Sequence, residues 1–326
     1  MSEVCDMLRS ALDIPDNYHV LLMQGGAHGQ FAALPLNLLG GKKKAAYVDG
    51  GFWSHKGANE ARKYCEVEMI EPFTTNKEGK LTYPDPSSWK VDPEWAYIHV
   101  CANETINGLE FLKDPSVGSL DVPLVADFTS TLLSRPVDVS KYGVIYASGG
   151  KNLGPSGHVV VIVNDGLLGR ELPICPGILS YSAAAHTKPI PNLHYTPNIF
   201  AARALHFVLT EVKHVGGLNA AKERSNRKAY KVYKEIDLSG GFYVNNVVDT
   251  YRSQVTIPFN IRVNGKPRPD LEKLFVKEAE RCNLWQLAGH HTVGGLRVCI
   301  YNSVPDSAVE TMGSFMRMFR EKYCKH

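Results

Sequence analysis

The chain reads as an α/β fold, a large domain built on a mostly parallel sheet flanked by helices, followed by a smaller C-terminal α+β domain. Three observations predict this. Short β-branched apolar runs recur through the first half and alternate with helical patterns, as βαβ units do. Glycine-rich turns follow several of those runs, where an α/β sheet places its loops. After Gly240-Gly241 the order changes to a compact set of strands and helices. The domains are drawn at residues 1–220 and 221–326.

The opening segment is helical, with Val4, Met7, Leu8, Ala11 and Leu12 on one face. Strand candidates follow at His19–Met23, Ala45–Val48, Tyr97–Cys101, Leu124–Ala126, Val144–Ala147 and Val159–Val163. Helical patterns over Gln30–Leu39 and Lys56–Tyr64 lie between them. The run at Val159 follows its predecessor too closely for a helical crossover, so it is expected to be antiparallel. Two long helical patterns, Asn198–His214 and Ala220–Glu235, lead to strands at Phe242–Val247 and Val255–Val263. A helix over Asp270–Arg281, a strand over Gly295–Ile300 and a closing helix complete the order. The closing helix carries Val309, Met312, Met316 and Phe319 as its apolar stripe, with Ser307 to Glu310 as a candidate capping box.

Composition excludes several classes of function. The 326 residues are 44% hydrophobic and 21% charged, with a formal net charge of +3. That charge is too small to attract nucleic acid or an anionic membrane, and no apolar stretch has the length of a membrane span. The basic run of Arg224, Arg227, Lys228, Lys231 and Lys234 reads as a solvated helix face, since no aromatic stacking pattern accompanies it. The N-terminus carries acids where a signal peptide needs lysines. Seven scattered cysteines without a CxxC pair read as reduced thiols of a cytoplasmic protein. No metal-ligand spacing is present, and none is expected to be used.

The chemistry-bearing residues fall at strand ends. Asp127 closes the run Val122–Ala126, and Lys151 lies in Ser148-Gly-Gly-Lys-Asn-Leu-Gly-Pro155, just after another run. A lysine among glycines is most often a solvated turn residue. A Walker phosphate loop is excluded, because Ile145 and Asn152 occupy its required glycine and Ser/Thr positions. A lysine and an acid brought to one sheet edge are what pyridoxal phosphate requires, the amine for its aldehyde and the acid for its ring nitrogen. Gln24-Gly-Gly-Ala27-His28-Gly29 turns from a strand into a helix, as a phosphate-binding turn does. Trp53 follows the next strand and offers a flat apolar face; Thr105 offers a hydroxyl after a third. Taken singly, a core tryptophan and a helix-capping threonine are the ordinary readings.

Taken in order, these phrases resemble the phosphoserine aminotransferases, class V members of the fold-type I pyridoxal-phosphate-dependent transferases. The matching segments are Met23-Gln-Gly-Gly with Gly29-Gln-Phe31, Pro35-Leu-Asn37-Leu, Cys101-Ala-Asn-Glu-Thr105, Ser134-Arg-Pro-Val-Asp138, Lys151-Asn-Leu-Gly-Pro155, and Gly294-Gly-Leu-Arg297 with Tyr301-Asn302. The likeness covers essentially the whole chain. It implies a transaminase of serine biosynthesis, exchanging the amino group between O-phosphoserine with 2-oxoglutarate and 3-phosphohydroxypyruvate with glutamate. By the same resemblance Lys151 is the Schiff-base lysine and proton shuttle, and Asp127 pairs with the pyridinium nitrogen. Trp53 stacks on the ring, Thr105 bonds its hydroxyl, and backbone at Ala27 and His28 receives the phosphate. Arg297 grips the substrate carboxylate, and His290 and His291 meet the substrate phosphate. A homodimer is implied, with the segment at Tyr195 and Thr196 reaching the partner's cofactor.

The departures are specific. Gly150 stands where the family has a glutamine beside the cofactor, Tyr195-Thr196-Pro197-Asn198 replaces Asn-Thr-Pro-Pro, and His291 replaces an arginine. Met1 begins close to the opening helix, where the family carries some tens of further residues, so the chain is expected to be N-terminally shortened with reduced or no activity. These changes keep a second expectation open: a catalytically impaired protein of the same fold, acting as a binding or structural module. A cysteine desulfurase is disfavoured, since no cysteine marks a reactive loop.

Overall fold

The structure is a computed structural model, and it describes residues 1–70, 74–119 and 121–324. The chain divides into two compact units. The first comprises Met1–Thr74, Tyr83–Glu104 and Lys113–Ala221; the second comprises Thr75–Thr82, Thr105–Leu112 and Lys222–His326. Two short excursions, around residues 75–82 and 105–112, thus join the C-terminal part of the chain.

In the first unit seven strands form one sheet: β1 (Tyr18–Met23), β2 (Lys44–Val48), β3 (Glu66–Ile70), β4 (Trp95–Cys101), β5 (Leu124–Asp127), β6 (Val144–Ser148) and β7 (Val159–Asn164). Their spatial order is β1-β7-β6-β5-β4-β2-β3. The neighbours β6/β5, β4/β5, β2/β4 and β2/β3 pair in parallel, while β7 runs antiparallel to both β1 and β6. The expected antiparallel strand is therefore present. The carboxyl ends of β1, β2, β4, β5 and β6 share one edge, with the start of β7 among them: Val159 pairs with both Met23 and Ser148.

Helices α1 (Ser2–Ala11), α2 (Gly26–Leu38), α3 (Phe52–Ala61), α4 (Tyr181–His186) and α5 (Ile199–His214) surround this sheet. Val4 and Leu8 of α1 are buried as the pattern predicts. Phe31, Ala33, Leu34 and Leu38 of α2 pack into a core with Tyr47, Tyr97, Val125 and Tyr146. Both α2 and α3 begin four residues before the predicted position, because the glycine turns lead straight into the first helical turn. The outer edge of β1 is covered by side chains. Arg9 donates to the Tyr18 carbonyl at 2.7 Å, and Asn192 accepts from the Leu22 N–H and donates to the Val20 carbonyl at 2.9 and 3.0 Å. The Tyr195 hydroxyl donates to the Leu22 carbonyl at 3.3 Å.

The second unit contains β8 (Tyr243–Val244), β9 (Thr256–Val263), β10 (Lys266–Pro267) and β11 (Leu296–Cys299), with β8, β10 and β11 all antiparallel to β9. Helix α6 (Gly217–Asp237) spans the division at Ala221; α7 (Pro269–Glu280) and α8 (Asp306–Tyr323) complete the unit. Val309, Met312, Met316 and Phe319 of α8 are buried against Phe275 and Phe242. Two details differ from the sequence reading. The strand expected over Phe242–Val247 ends at Val244, because the Asn245 side chain leaves the ladder to bond the Pro258 carbonyl and the Val247 N–H. Ser307 caps nothing: α8 starts at Asp306 after Pro305, so Ser307 already lies inside the helix, and no side chain caps that end.

Candidate active site

The carboxyl edge of the first sheet carries the candidate residues of the first unit. After β1, Gly25 adopts a left-handed conformation (φ 87°) and opens α2 with no side chain capping its N–H groups. Ala27 and His28 therefore occupy the first turn of a helix whose free N–H groups attract an anion. Gly26 (φ 58°) approaches β6 so closely that a Cβ there would lie 3.0 Å from the Ser148 hydroxyl oxygen. The glycine is required both by its backbone conformation and by this approach.

After β2, Gly50 and Gly51 lead into α3, and their N–H groups both donate to the Ser54 hydroxyl at 3.0 Å. Trp53 stands half-buried in the first turn of α3. The His28 ring meets it edge-on at 6.2 Å, and the Lys56 ammonium lies 5.6 Å from its ring centre. The loops after β1 and β2 thus place His28 and Trp53 side by side. The N-terminal end of α3 rests on a buried carboxylate: Glu104 accepts the Ser54 N–H at 2.7 Å and the Trp53 N–H at 3.1 Å. Burial pushes the Glu104 carboxyl up to about 7 against these donors.

Asp127 ends β5 and is buried; its Oδ1 accepts the Thr129 N–H at 2.8 Å. Burial raises its pKa, while the Thr129 hydroxyl and N–H, the nearby positive charge of Lys151 and the Tyr146 hydroxyl oppose that rise. The Thr129 hydroxyl in turn accepts the Ser148 N–H at 3.1 Å, joining the ends of β5 and β6. Lys151 follows three residues after β6, in a turn closed by the Gly150 N–H to the Gly154 carbonyl (2.6 Å) and the Gly154 N–H to the Lys151 carbonyl (3.2 Å). Gly150 is exposed in a left-handed conformation (φ 100°) and brings no side chain to the site. Gly149 admits none, since a Cβ there would lie 2.2 Å from the Pro155 carbonyl oxygen. Tyr195 and Thr196 run beside the end of β1: the Gln24 amide donates to the Thr196 carbonyl at 3.3 Å. The first unit therefore gathers Ala27, His28, Trp53, Asp127, Gly150, Lys151, Tyr195 and Thr196 along one sheet edge.

Thr105, His290, His291 and Arg297 belong to the second unit. Arg297 lies on β11, half-buried, and its guanidinium donates to the Thr105 carbonyl at 3.4 Å. Arg297 and His290 line a cavity of about 200 Å³ whose other polar walls are Asn107, Asn245, Asn246 and Asn260. The His290 and His291 rings lie 4.2 Å apart, and His290 Nδ1 is 2.8 Å from the Thr292 hydroxyl. His291 is exposed.

Sequence reasoning missed Glu104, Thr129, Ser148, Tyr146 and His99. Glu104, Ser148, Tyr146 and His99 meet partners remote in sequence, and Thr129 joins Asp127 to Ser148, so these contacts are set by the fold rather than by a local motif. It also missed one group able to approach an ion, His19, Asp165 and His186, whose ligand atoms lie within 4.8 Å of one another. His19 and Asp165 already satisfy each other at 2.8 Å on an exposed surface. Among the described residues no helix is long and apolar enough to cross a membrane.

The profile of the family described as aminotransferase class-V matches residues 1–312. A phosphoserine aminotransferase from Bacillus circulans subsp. alkalophilus is 36% identical, with a TM-score of 0.90 over 98% of this chain and 86% of that chain. The pyridoxal-phosphate-bound phosphoserine aminotransferase from Trichomonas vaginalis is 32% identical, with a TM-score of 0.87 over 97% and 86%. A third, from Cytophaga hutchinsonii, is 20% identical with a TM-score of 0.76 over 99% and 88%, a likeness of fold alone. The match over residues 1–312 and the agreement of fold with aminotransferases at 36% identity lead to one conclusion: this chain is a transaminase of the class-V aminotransferase family.

Proposed function

We propose that the chain binds pyridoxal 5′-phosphate and transfers the amino group of O-phosphoserine to 2-oxoglutarate, and the reverse from glutamate to 3-phosphohydroxypyruvate. The observation that carries this is the joining of Asp127, at the end of β5, and Lys151, in the turn after the adjacent parallel strand β6, to the uncapped start of α2 at one sheet edge. The donor set fits the cofactor. A helix N-terminus suits its phosphate, a buried carboxylate suits a protonated pyridine nitrogen, and a primary amine suits its aldehyde.

When bound, the cofactor supplies an electron sink for the substrate α-carbon. The protein's residues do the rest. Lys151 would hold the cofactor through its aldehyde, and its amine, when free, would carry the substrate α-proton. Asp127 keeps a negative charge opposite the ring nitrogen. The Trp53 indole covers one ring face and excludes water from it. Arg297 holds the α-carboxylate, for which its planar fork is suited, and His290 with His291 takes the substrate phosphate. Thr105 orients the ring hydroxyl.

A homodimer is part of this reading. Ile174, together with Ile199, Phe200 and Phe207 of α5, is 58–78% exposed, and large apolar side chains left in water suit a subunit contact. Tyr195 and Thr196 would then serve the partner's phosphate site.

The test is the absorption spectrum of the chain loaded with pyridoxal phosphate, followed by addition of phosphoserine and then of 2-oxoglutarate. Transamination predicts a cofactor band that phosphoserine bleaches and 2-oxoglutarate restores. A stable band that phosphoserine leaves unchanged would identify a binding module instead.

A further inference from the structure

We infer that Tyr146 and His99 are positioning residues which hold the Asp127 carboxylate ionised and aimed at the ring nitrogen of the bound cofactor. The inference rests on the cofactor reading above and adds two residues from inside the sheet. In β4, β5 and β6 the parallel register pairs Cys101 with Asp127 and Asp127 with Tyr146, and it pairs His99 with Val125. Side chains alternate along a strand, so His99, Asp127 and Tyr146 share one face. His99 Nε2 lies 2.8 Å from the Tyr146 hydroxyl. The register sets Tyr146 beside Asp127 on the same face, where its hydroxyl favours the charged carboxylate. Behind them the Tyr47 ring stacks on the His99 ring at 4.7 Å, and the Tyr47 and Tyr97 hydroxyls are 2.8 Å apart. His99, Tyr146, Tyr47 and Tyr97 are all at most 1% exposed.

The direction of the bonds follows from the chemistry. Tyr146 has a single O–H, and an ionised carboxylate is a stronger acceptor than a neutral imidazole nitrogen. The hydroxyl therefore donates to Asp127. Its oxygen then accepts, so His99 Nε2 must carry the hydrogen. This leaves His99 Nδ1 as a bare acceptor, buried and without a hydrogen-bond partner among the described residues. Burial pushes the His99 imidazole down to about 3, which keeps it neutral, with a single ring hydrogen. The chain His99 to Tyr146 to Asp127 thus points every hydrogen toward the carboxylate. Bonds of this kind reinforce one another where water is excluded.

A merely structural role would weaken the binding of any ring in the site. A role directed at the nitrogen weakens only rings that have one. The experiment compares the affinity of the chain for pyridoxal phosphate and for its 1-deaza analogue, in which the nitrogen is replaced by C–H. Wild type is expected to prefer pyridoxal phosphate, and Tyr146→Phe to shrink that preference about tenfold, the worth of a hydrogen bond to a charged group. Binding of the deaza analogue should change no more than about threefold. His99→Leu should reduce the preference in the same sense, whereas His99→Gln, which keeps an N–H donor, should restore it. This pair reads the contact from its other side if the Tyr146 variant folds poorly. A wild type that binds neither ring overturns the cofactor reading and this inference with it. A wild-type preference that Tyr146→Phe and His99→Leu leave unchanged, or an equal loss for both rings, overturns this inference alone.

Discussion

The two units build their candidate sites from different materials. In the first, backbone does most of the work: an uncapped helix start, glycines that admit no side chain, and loop N–H groups placed by a single sheet. Its key acids, Asp127 and Glu104, are buried and held by two or more donors. In the second, the candidate groups are long or exposed side chains around a cavity rich in asparagine. The lesson is that binding a fixed cofactor and choosing a variable substrate make different structural demands. The first needs groups that cannot move; the second tolerates groups that can be exchanged.

The largest expected effect breaks the first unit's site outright. Lys151→Ala should abolish any adduct trapped by borohydride reduction and all turnover with phosphoserine, while pyridoxal phosphate still binds through the start of α2. Mass spectrometry of the reduced protein checks it; an adduct on a different lysine would remove Lys151 from the centre of the site. Arg297→Ala probes the second unit. Loss of a bidentate carboxylate contact should cost about 2–4 kcal/mol in kcat/KM for phosphoserine and for glutamate alike. A defect confined to phosphoserine would move Arg297 to the phosphate.

Glu104 gives a smaller effect with a definite sign. Its carboxyl titrates near 7 in the folded chain against 4.5 for an ordinary glutamate. Between those values the folded chain binds the proton more tightly than the unfolded one, so this residue lowers stability as pH rises from about 4.5 to 7. The full penalty above that window is on the order of 3 kcal/mol. Urea unfolding of wild type and Glu104→Gln should therefore diverge across this range, the variant losing less stability toward pH 7; parallel pH profiles would refute the assignment. The smallest effect sharpens the contrast between the units. His291→Arg should raise kcat/KM for phosphoserine about three- to tenfold and leave glutamate unchanged, because the planar guanidinium is always charged and matches a phosphate bidentately.

The parts legible in the sequence were those with a local signal. Six β-branched runs became strands β1, β2, β4, β5, β6 and β7, and their ends located Asp127, Lys151 and the Gly25-Gly26 turn. Strand β3, Glu66–Ile70, gave no such signal. It lies at the sheet edge with no residue fully buried, and its acids Glu66 and Glu68 interrupt any apolar run. Helix starts were misplaced where glycine normally argues for a turn, as before α2 and α3. The excursions 75–82 and 105–112 carry no compositional mark of belonging with the C-terminal part of the chain. His99 and Tyr146 looked like ordinary strand residues, and only the parallel register reveals that they face Asp127.

The covered edge of β1 has a consequence for how chains of this protein can associate. A seven-stranded sheet with a bare edge would be a template for adding an eighth strand from another copy. Here Arg9, Asn192 and Tyr195 occupy the outward carbonyls of Tyr18, Val20 and Leu22 and the Leu22 N–H, so an incoming strand would find them already taken. Association along β1 is thereby closed to backbone pairing and left to side chains. Asn192 has the largest share in this guard, answering one donor and one acceptor at once. Replacing it with alanine would strip both and turn a finished border into a growing one.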